Sequence, residues 1–97
     1  MIHFNYVHVP TNKKLEKFTT EKLQVLHEES KIRRIDITYK KMFDIKNRTR
    51  EVAMIQVSLS DKNVFCEIES LNFKKSVSIA VDTLMNELVE EHNLLSA

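Results

Sequence analysis

Apolar and polar side chains alternate with a period of two in four short stretches of the chain. The apolar positions of these stretches are Ile2, Phe4 and Tyr6; Ile35, Ile37 and Tyr39; Ala53, Ile55, Val57 and Leu59; and Val64, Cys66 and Ile68. This period predicts four β-strands, the first of which ends by Pro10. Short polar connections join the last three, which predicts an antiparallel meander.

Two other stretches have the wider apolar spacing of amphipathic helices. The first begins at Lys13, with Thr11 as its expected N-cap, and should run for about five turns to near Ser30. The second has Asn72 as its expected N-cap. The apolar positions are Leu15, Phe18, Leu23, Val25 and Leu26 in the first helix, and Phe73, Val77, Ala80, Val81, Leu84 and Leu88 in the second.

The resulting order, β-α-β-β-β-α, predicts an α+β fold. Because each helix has a single apolar stripe, we expect both to pack on one face of a four-stranded sheet. The length of 97 residues is that of one domain, spanning 1–97.

Charge is divided between the two halves of the chain. Residues 1–50 contain 12 Lys and Arg against 6 Asp and Glu, a balance of +6, whereas residues 51–97 contain 3 against 8, a balance of −5. The net charge of +1 conceals this division. A basic half of this kind favours one face built to meet a polyanion.

The composition excludes several classes of site. The chain has no glycine, which excludes glycine-rich phosphate loops and leaves positive φ angles to Asn or Asp, with Asn47, Asp61 and Asn63 as candidates. Cys66 is the single cysteine, so an internal disulfide is excluded and a buried thiol is expected.

Catalytic and membrane-spanning patterns are also missing from the sequence. No apolar run is long enough to cross a bilayer and no signal peptide is apparent, so we expect a cytoplasmic protein with no membrane partner. The four histidines are scattered, which predicts no metal site. Since no nucleophile accompanies the acidic residues, we expect no enzyme activity, no cofactor and no small-molecule substrate.

Twelve basic side chains are the candidate polyanion-binding residues, because phosphate binding needs cations gathered on one surface. They lie in the first helix, at the start of the second strand, in the connection 40–50 and at the start of the last helix. They are Lys14, Lys17, Lys22, Arg33, Arg34, Lys40, Lys41, Lys46, Arg48, Arg50, Lys74 and Lys75.

Each basic group has a plainer structural alternative. The lysines of the first helix can form a solvated face. Arg33 and Arg34 can instead pair with Glu28 or Glu29. These alternatives weigh about as much as phosphate binding does.

The connection from Lys41 to Arg50 is expected to be a loop or an extended hairpin tip. Only Asp44 opposes its cations, which makes it the best candidate for a segment that grips a polyanion, with solubility alone as the alternative. Met42 and Phe43 can stack on a base there, although core packing is the favoured expectation for Phe43.

Two helix patterns, in this order and at this separation, resemble those of a known family. The patterns are Glu21-Lys22-Leu23-x-x-Leu26 in the first helix and Ala80-Val81-Asp82-x-Leu84-x-x-x-Leu88 in the last. Together with the element order and the length, they resemble the ribosome hibernation promoting factor and protein Y family over residues 2–89.

The resemblance implies a non-enzymatic protein. Members bind the small ribosomal subunit in the decoding region, contact rRNA mainly through basic residues, and silence ribosomes under stress or starvation. The chain resembles a short member without the additional dimerising domain of long members, and weak homodimerisation stays open. The twelve basic residues then become candidate RNA-binding residues.

The chain departs from the family pattern in its basic positions. Residues 86–92 are acidic where the family usually has Lys and Arg, and Lys74 and Lys75 replace small residues. In the first helix only Lys22 matches a common basic position, and three further lysines are extra. The binding surface has therefore either shifted toward the first helix and the loops, or binds more weakly or elsewhere.

Two other functions stay open. Lys74 and Lys75 resemble the lysine pair of double-stranded-RNA-binding domains, whose element order lacks only the first strand. The acidic second half can instead dock a basic protein, which would make the chain a regulatory protein–protein interaction module. Neutralising either group of residues separates these functions from ribosome binding.

Overall fold

The computed structural model describes the backbone of residues 2–26 and 32–96, and the side chains of 2–26 and 32–88. The strands are β1 (Ile2–Val7), β2 (Ile32–Phe43), β3 (Thr49–Leu59) and β4 (Asn63–Ser70), and the helices are α1 (Lys13–Leu23) and α2 (Phe73–Ser96). A single 3-10 turn, Gln24–Leu26, follows α1. The predicted α+β class and the order β-α-β-β-β-α are confirmed.

The four strands form one mixed sheet in the order β1-β2-β3-β4. β2, β3 and β4 are antiparallel neighbours, as the meander predicts. β1 runs parallel to β2, with Ile2 opposite Ile35 and Val7 opposite Lys40. Parallel neighbours need a crossover connection, and α1 lies within that crossover.

Both helices cover the same face of the sheet. Ile37 on β2, Ile55 on β3 and Leu84 on α2 are fully buried between the layers. Burying each such side chain contributes about 1.5–3 kcal/mol, so this contact holds sheet and helices together. On the predicted apolar face of α2, Val77, Ala80, Val81, Leu84 and Leu88 are buried and Phe73 is partly buried.

The first helix is shorter than predicted. α1 ends at Leu23 and tightens into the 3-10 turn, a common way for a helix to end. This tightening buries Leu26 but leaves Val25 half-exposed, so the prediction of Val25 as an apolar contact is wrong. The predicted end near Ser30 lies outside the described residues.

The cap of this helix is also one residue later than predicted. The side chain of Asn12, not Thr11, accepts a hydrogen bond from the Leu15 N–H at 3.1 Å. In α2, the side chain of Asn72 accepts from the Lys75 N–H at 2.8 Å, which confirms the predicted cap. Each cap satisfies an N–H that the helix itself leaves unpaired.

Left-handed backbone occurs at two described residues. Asn47 has φ 62°, as predicted for a chain without glycine. His8, just after β1, has φ 58°, a position that the sequence did not indicate. Asn63 is a strand residue, and neither it nor Asp61 has a positive φ, so those two expectations are wrong.

Two further sequence expectations concern single features. Cys66 is buried, as predicted, and burial raises the pKa of its thiol. Within 2–26 and 32–96, no helix is long and apolar enough to span a membrane.

Candidate nucleic-acid interface

The topology brings both helix starts to one end of the sheet. β1 ends at Val7, opposite Lys40, so the connection to α1 leaves from that end. β4 ends at Ser70, opposite Glu51, and α2 begins three residues later. The Phe73 N–H donates to the Glu51 carboxylate at 2.9 Å, which fixes the start of α2 there.

The hairpin between β2 and β3 projects from the same end. Met42 pairs with Arg50 and Phe43 with Thr49, beyond the last partners of β1 and β4. Residues 42–50 therefore form a two-stranded arm that pairs only with itself. We call the arm, Lys40 and Lys41 at its base, and the lysines of both helix starts (Lys13, Lys14, Lys17, Lys74 and Lys75) together the basic end.

Asp44 organises the turn of this arm. Its carboxylate accepts hydrogen bonds from the backbone N–H groups of Lys46 and Arg48, each at 2.9 Å, and from the Arg48 guanidinium at 2.8 Å. The N–H of Arg48 and the other donors lower the pKa of Asp44. Asn47 closes the turn in left-handed backbone, donating its N–H to the Asp44 carbonyl at 2.8 Å.

The cations of the arm and of its base fall into two groups. Arg48 pairs with Asp44, and Arg50 pairs with Glu69 on β4 at 2.9 Å, so both guanidinium charges are partly neutralised. The lysines at 40, 41 and 46 have no carboxylate within 4.0 Å among the described residues, and Lys41 and Lys46 are exposed. These lysines are the charges most available to an anionic partner.

The Phe18 ring makes cation–π contacts with one lysine from each helix. The Nζ atoms of Lys22 on α1 and Lys74 on α2 lie 5.7 and 5.6 Å from the centre of its ring. Such cation–π contacts contribute about 0.5–1 kcal/mol each at exposed sites, enough to offset some of the repulsion between two nearby ammonium groups. The two helices thus present a shared basic surface.

A cleft of about 530 Å³ opens between the helix starts. Lys14 and Lys74 line it from α1 and α2, and Asn12, Leu15, Glu51, Asn72 and Phe73 complete the lining. Neither lysine pairs with a carboxylate among the described residues, although Glu51 brings one negative charge to the wall. With two lysines against one glutamate, the lining of the cleft has a formal charge of +1.

Buried hydroxyl groups hold α1 against the sheet below this surface. Tyr39 is fully buried, and its hydroxyl lies 2.5 Å from the Thr19 hydroxyl. Burial raises the pKa of Tyr39 well above its ordinary value of about 10. Tyr6 donates to the Glu16 carboxylate, and burial together with that bond raises its pKa as well.

Negative charge lies away from the basic end on α2. Asp82 and Glu87 are exposed, 8 and 13 residues after Lys74. At 1.5 Å per residue they are roughly 12 and 20 Å further along the helix axis. The described part of α2 is therefore basic at its start and acidic beyond it.

Two solved structures are similar to this one. A ribosomal subunit interface protein from Coxiella burnetii superposes with a TM-score of 0.79 at 20% identity, over 95% of this chain and 97% of that one. The protein Y N-terminal domain from Thermus thermophilus superposes with a TM-score of 0.72 at 19% identity, over 88% of this chain and 90% of that one.

The chain has the protein Y fold. The resemblance expected from the helix patterns is therefore confirmed at the level of fold, which is what identities near 20% show. No protein-family model matches the chain, and the search of curated proteins gives no match either.

On this protein Y fold, ten of the twelve predicted residues lie at the basic end or on the helix surface next to it. Arg33 and Arg34 do not. They open β2 at the opposite end of the sheet, about 20 Å from Lys40 at the usual rise per strand residue. Arg34 pairs with Asp36 at 2.9 Å, and the alternative partners Glu28 and Glu29 lie outside the described residues.

At the tip of the arm, the sequence favoured core packing for Phe43 over exposure and did not single out Ile45. Phe43 was expected in the core but is 63% exposed, and Ile45 is fully exposed. Phe43 continues the alternation of Tyr39 and faces the same side, but at Phe43 the β2–β3 pair has passed beyond the ends of β1 and β4. One feature of the sequence could have indicated this exposure. On the face that Tyr39 and Phe43 share, the position between them is Lys41, a charged residue, so the apolar alternation of β2 is interrupted before Phe43.

Proposed function

We propose that this protein is a ribosome-associated translation inhibitor. It binds the decoding region of the small subunit through rRNA phosphate contacts and silences ribosomes in stress or stationary phase. One observation carries the proposal: on a protein Y fold, lysines from α1, α2 and the arm lie at one end of the sheet. Apart from Lys13, which pairs with Glu16 at 3.5 Å, these lysines have no carboxylate within 4.0 Å among the described residues. The similar Coxiella structure is that of a ribosomal subunit interface protein, which supports it.

The physics of such binding is mainly electrostatic. Each lysine that contacts a phosphate releases a condensed counterion, so affinity falls steeply with salt and depends little on sequence. Inhibition then needs only steric occupancy of the channel that mRNA and tRNA use. The protein acts in the cytoplasm as a single ribosome-binding domain, 1–97, without catalysing a reaction.

The partition of cations sets the expected roles. The phosphate contacts are made by Lys14 and Lys74 across the cleft, by Lys41 at the base of the arm, and by Lys46 in its turn. Arg48 is engaged with Asp44 and serves mainly to stiffen the turn. The acidic part of α2 lies outside the contact surface.

Co-sedimentation with small subunits and whole ribosomes across a salt series tests the proposal. We compare three charge-matched double variants: Lys14→Gln with Lys74→Gln, Lys41→Gln with Lys46→Gln, and Arg33→Gln with Arg34→Gln. The first two should each flatten the slope of log affinity against log salt by about 1.4–1.8. The third, at the opposite end of the sheet, should leave that slope unchanged.

Two outcomes would contradict the proposal. Equal losses in all three double variants would show general attraction between a cation and RNA rather than a defined surface. No sedimentation of the wild-type protein with small subunits at low salt would reject ribosome binding. If short duplex RNA binds instead, and only Lys74→Ala with Lys75→Ala abolishes it, the duplex-RNA function is the correct one.

A further inference from the structure

The tip of the arm exposes apolar surface that the fold does not use. Phe43 is 63% exposed, Ile45 is fully exposed and Met42 is 37% exposed, and all three lie within four consecutive positions. The arm overhangs the sheet, where β2 and β3 pair only with each other, so these side chains are left exposed to solvent. Most other large apolar side chains among the described residues are buried or partly buried, which makes the tip a candidate contact surface.

We propose that this tip is a nucleobase-binding site, in which the Phe43 ring stacks on an unpaired base while Lys41 and Lys46 contact the flanking phosphates. The proposal rests on the proposed function and adds a mode of recognition to it. It identifies the ligand as single-stranded RNA, or an unpaired base within folded RNA, rather than the regular phosphate surface of a duplex.

The geometry around Phe43 fits stacking. Its cross-strand partner is Thr49, a small exposed residue that cannot cover the ring. Lys41 is two residues earlier on the same strand and therefore points to the same side of the arm. An aromatic ring beside a lysine is the usual combination for binding a base with its phosphate.

The turn gives this site a fixed shape. Asp44 accepts three hydrogen bonds within the turn, and Asn47 closes it. The backbone on both sides of Ile45 is thereby held without help from a partner. A preorganised ring loses less entropy on binding than one on an unstructured loop.

The exposed apolar area of the tip is small, which favours a nucleobase over a lipid membrane as its ligand. Membrane binding strength grows with the apolar area that enters the bilayer. One ring and one fully exposed aliphatic side chain offer little such area, whereas a single ring is sufficient for one base. Membrane binding is the alternative, and the fluorescence experiment below is designed to distinguish it from base stacking.

Fluorescence tests stacking directly, because the chain has no tryptophan. Phe43→Trp introduces a single indole at the tip, and Phe65→Trp introduces one at a comparably exposed phenylalanine on β4 as the matched control. Titration with a single-stranded RNA oligonucleotide should quench the indole of the Phe43→Trp protein and leave that of the control nearly unchanged. Equal quenching in both, or quenching in neither, would overturn the proposal.

Affinity for small subunits supplies the second readout. Phe43→Ala should weaken binding about 10- to 100-fold without changing its salt dependence, whereas Phe65→Ala should have no effect. Phe43→Tyr should retain affinity and Phe43→Leu should not. If Phe43→Leu binds as well as wild type, the contact is generally apolar and the stacking proposal fails.

The outcomes keep this proposal and the proposed function apart. Wild-type binding that Phe43→Ala leaves unchanged would refute base stacking while ribosome binding stands. No wild-type binding to small subunits would refute the proposed function, and the oligonucleotide titration would still decide whether the tip stacks on a base. A blue-shifted emission of the Phe43→Trp protein on anionic vesicles, without quenching by RNA, would identify a membrane contact instead.

Discussion

Replacing Tyr39 by phenylalanine should change the stability of this protein in opposite directions at neutral and alkaline pH. The Tyr39 ring is fully buried and contacts the rings of Phe4, Tyr6 and Phe73 at centroid distances of 6.1, 5.3 and 5.6 Å. Phenylalanine preserves these contacts and removes only the hydroxyl group. The substitution therefore isolates one buried polar group.

At neutral pH the variant should be less stable by about 1 kcal/mol, the net contribution of a typical hydrogen bond. The substitution removes the hydrogen bond between the Tyr39 and Thr19 hydroxyls, at 2.5 Å, and the longer one from Tyr39 to the Leu15 carbonyl, at 3.4 Å. Thr19 keeps its own donation to the Leu15 carbonyl at 2.9 Å, so no buried donor is orphaned. A loss of stability well above 2 kcal/mol would mean that α1, which contains Leu15 and Thr19, rearranges in the variant.

At alkaline pH the difference should disappear and then reverse. Burial raises the pKa of Tyr39, so above its ordinary value of about 10 the unfolded chain loses this proton and the folded chain keeps it. The unfolded state then binds fewer protons, and the free energy of unfolding falls by about 1.4 kcal/mol for each pH unit above about 10. Tyr39→Phe removes this loss, so the two proteins should be about equally stable near pH 11.

Urea unfolding of both proteins at pH 7 and near pH 11 measures the effect. Titration of Cys66 is common to both proteins and cancels in the difference. The chain has only two tyrosines, so absorbance of a Tyr6→Phe variant follows the Tyr39 phenol alone. A stability difference that is the same at both pH values, or a Tyr39 that ionises near pH 10 in the folded protein, would refute the reasoning.

Three further substitutions test the packing, the turn and the connection between helix and sheet. Leu84→Ala should lower the free energy of unfolding in urea by about 2–5 kcal/mol, because Leu84 is fully buried. The control Ile45→Ala, at the exposed tip, should lower it by less than about 0.5 kcal/mol. Similar losses in the two variants would contradict the described core. Asn47→Ala should cost about 1–2 kcal/mol in thermal unfolding, since alanine resists a φ of 62°, whereas Asn47→Gly should be near neutral; equal losses would place the cost in the side chain instead. Ser76→Ala should cost about 1–3 kcal/mol in urea unfolding, because the buried Ser76 hydroxyl donates to the Glu51 carbonyl at 2.7 Å. An unchanged midpoint would show that water replaces this hydroxyl.

The strands and the last helix could be predicted because each has an apolar period that the core enforces. Val77, Ala80 and Leu84 recur at helical spacing, and all three are fully buried. Where the core does not decide, prediction failed. The end of α1 depends on where Leu26 meets the sheet, and nothing local distinguishes Val25, which is half-exposed, from its buried neighbour.

The candidate site could be predicted only as a list of charges. The connection 41–50 was recognisable as basic, but its arrangement depends on strand register. Arg50 pairs with Glu69, 19 residues away, and only the β3–β4 pairing brings them together. Likewise, the approach of Lys74 to Lys22 around Phe18 follows from how two helices pack, which no local pattern encodes.

Because the arm extends beyond the rest of the sheet, it can open locally while the rest of the molecule stays folded. The backbone of residues 42–50 pairs with no strand outside its own two-stranded ladder, and an isolated ladder of this kind is marginally stable in water. Amide hydrogens there will exchange through small openings that leave Ile37 and Leu84 packed, while amides of the central strands exchange only near the global free energy. Hydrogen exchange of the arm thus becomes a local reporter: a partner bound at the tip will slow exchange in residues 42–50 long before it alters the midpoint of global unfolding.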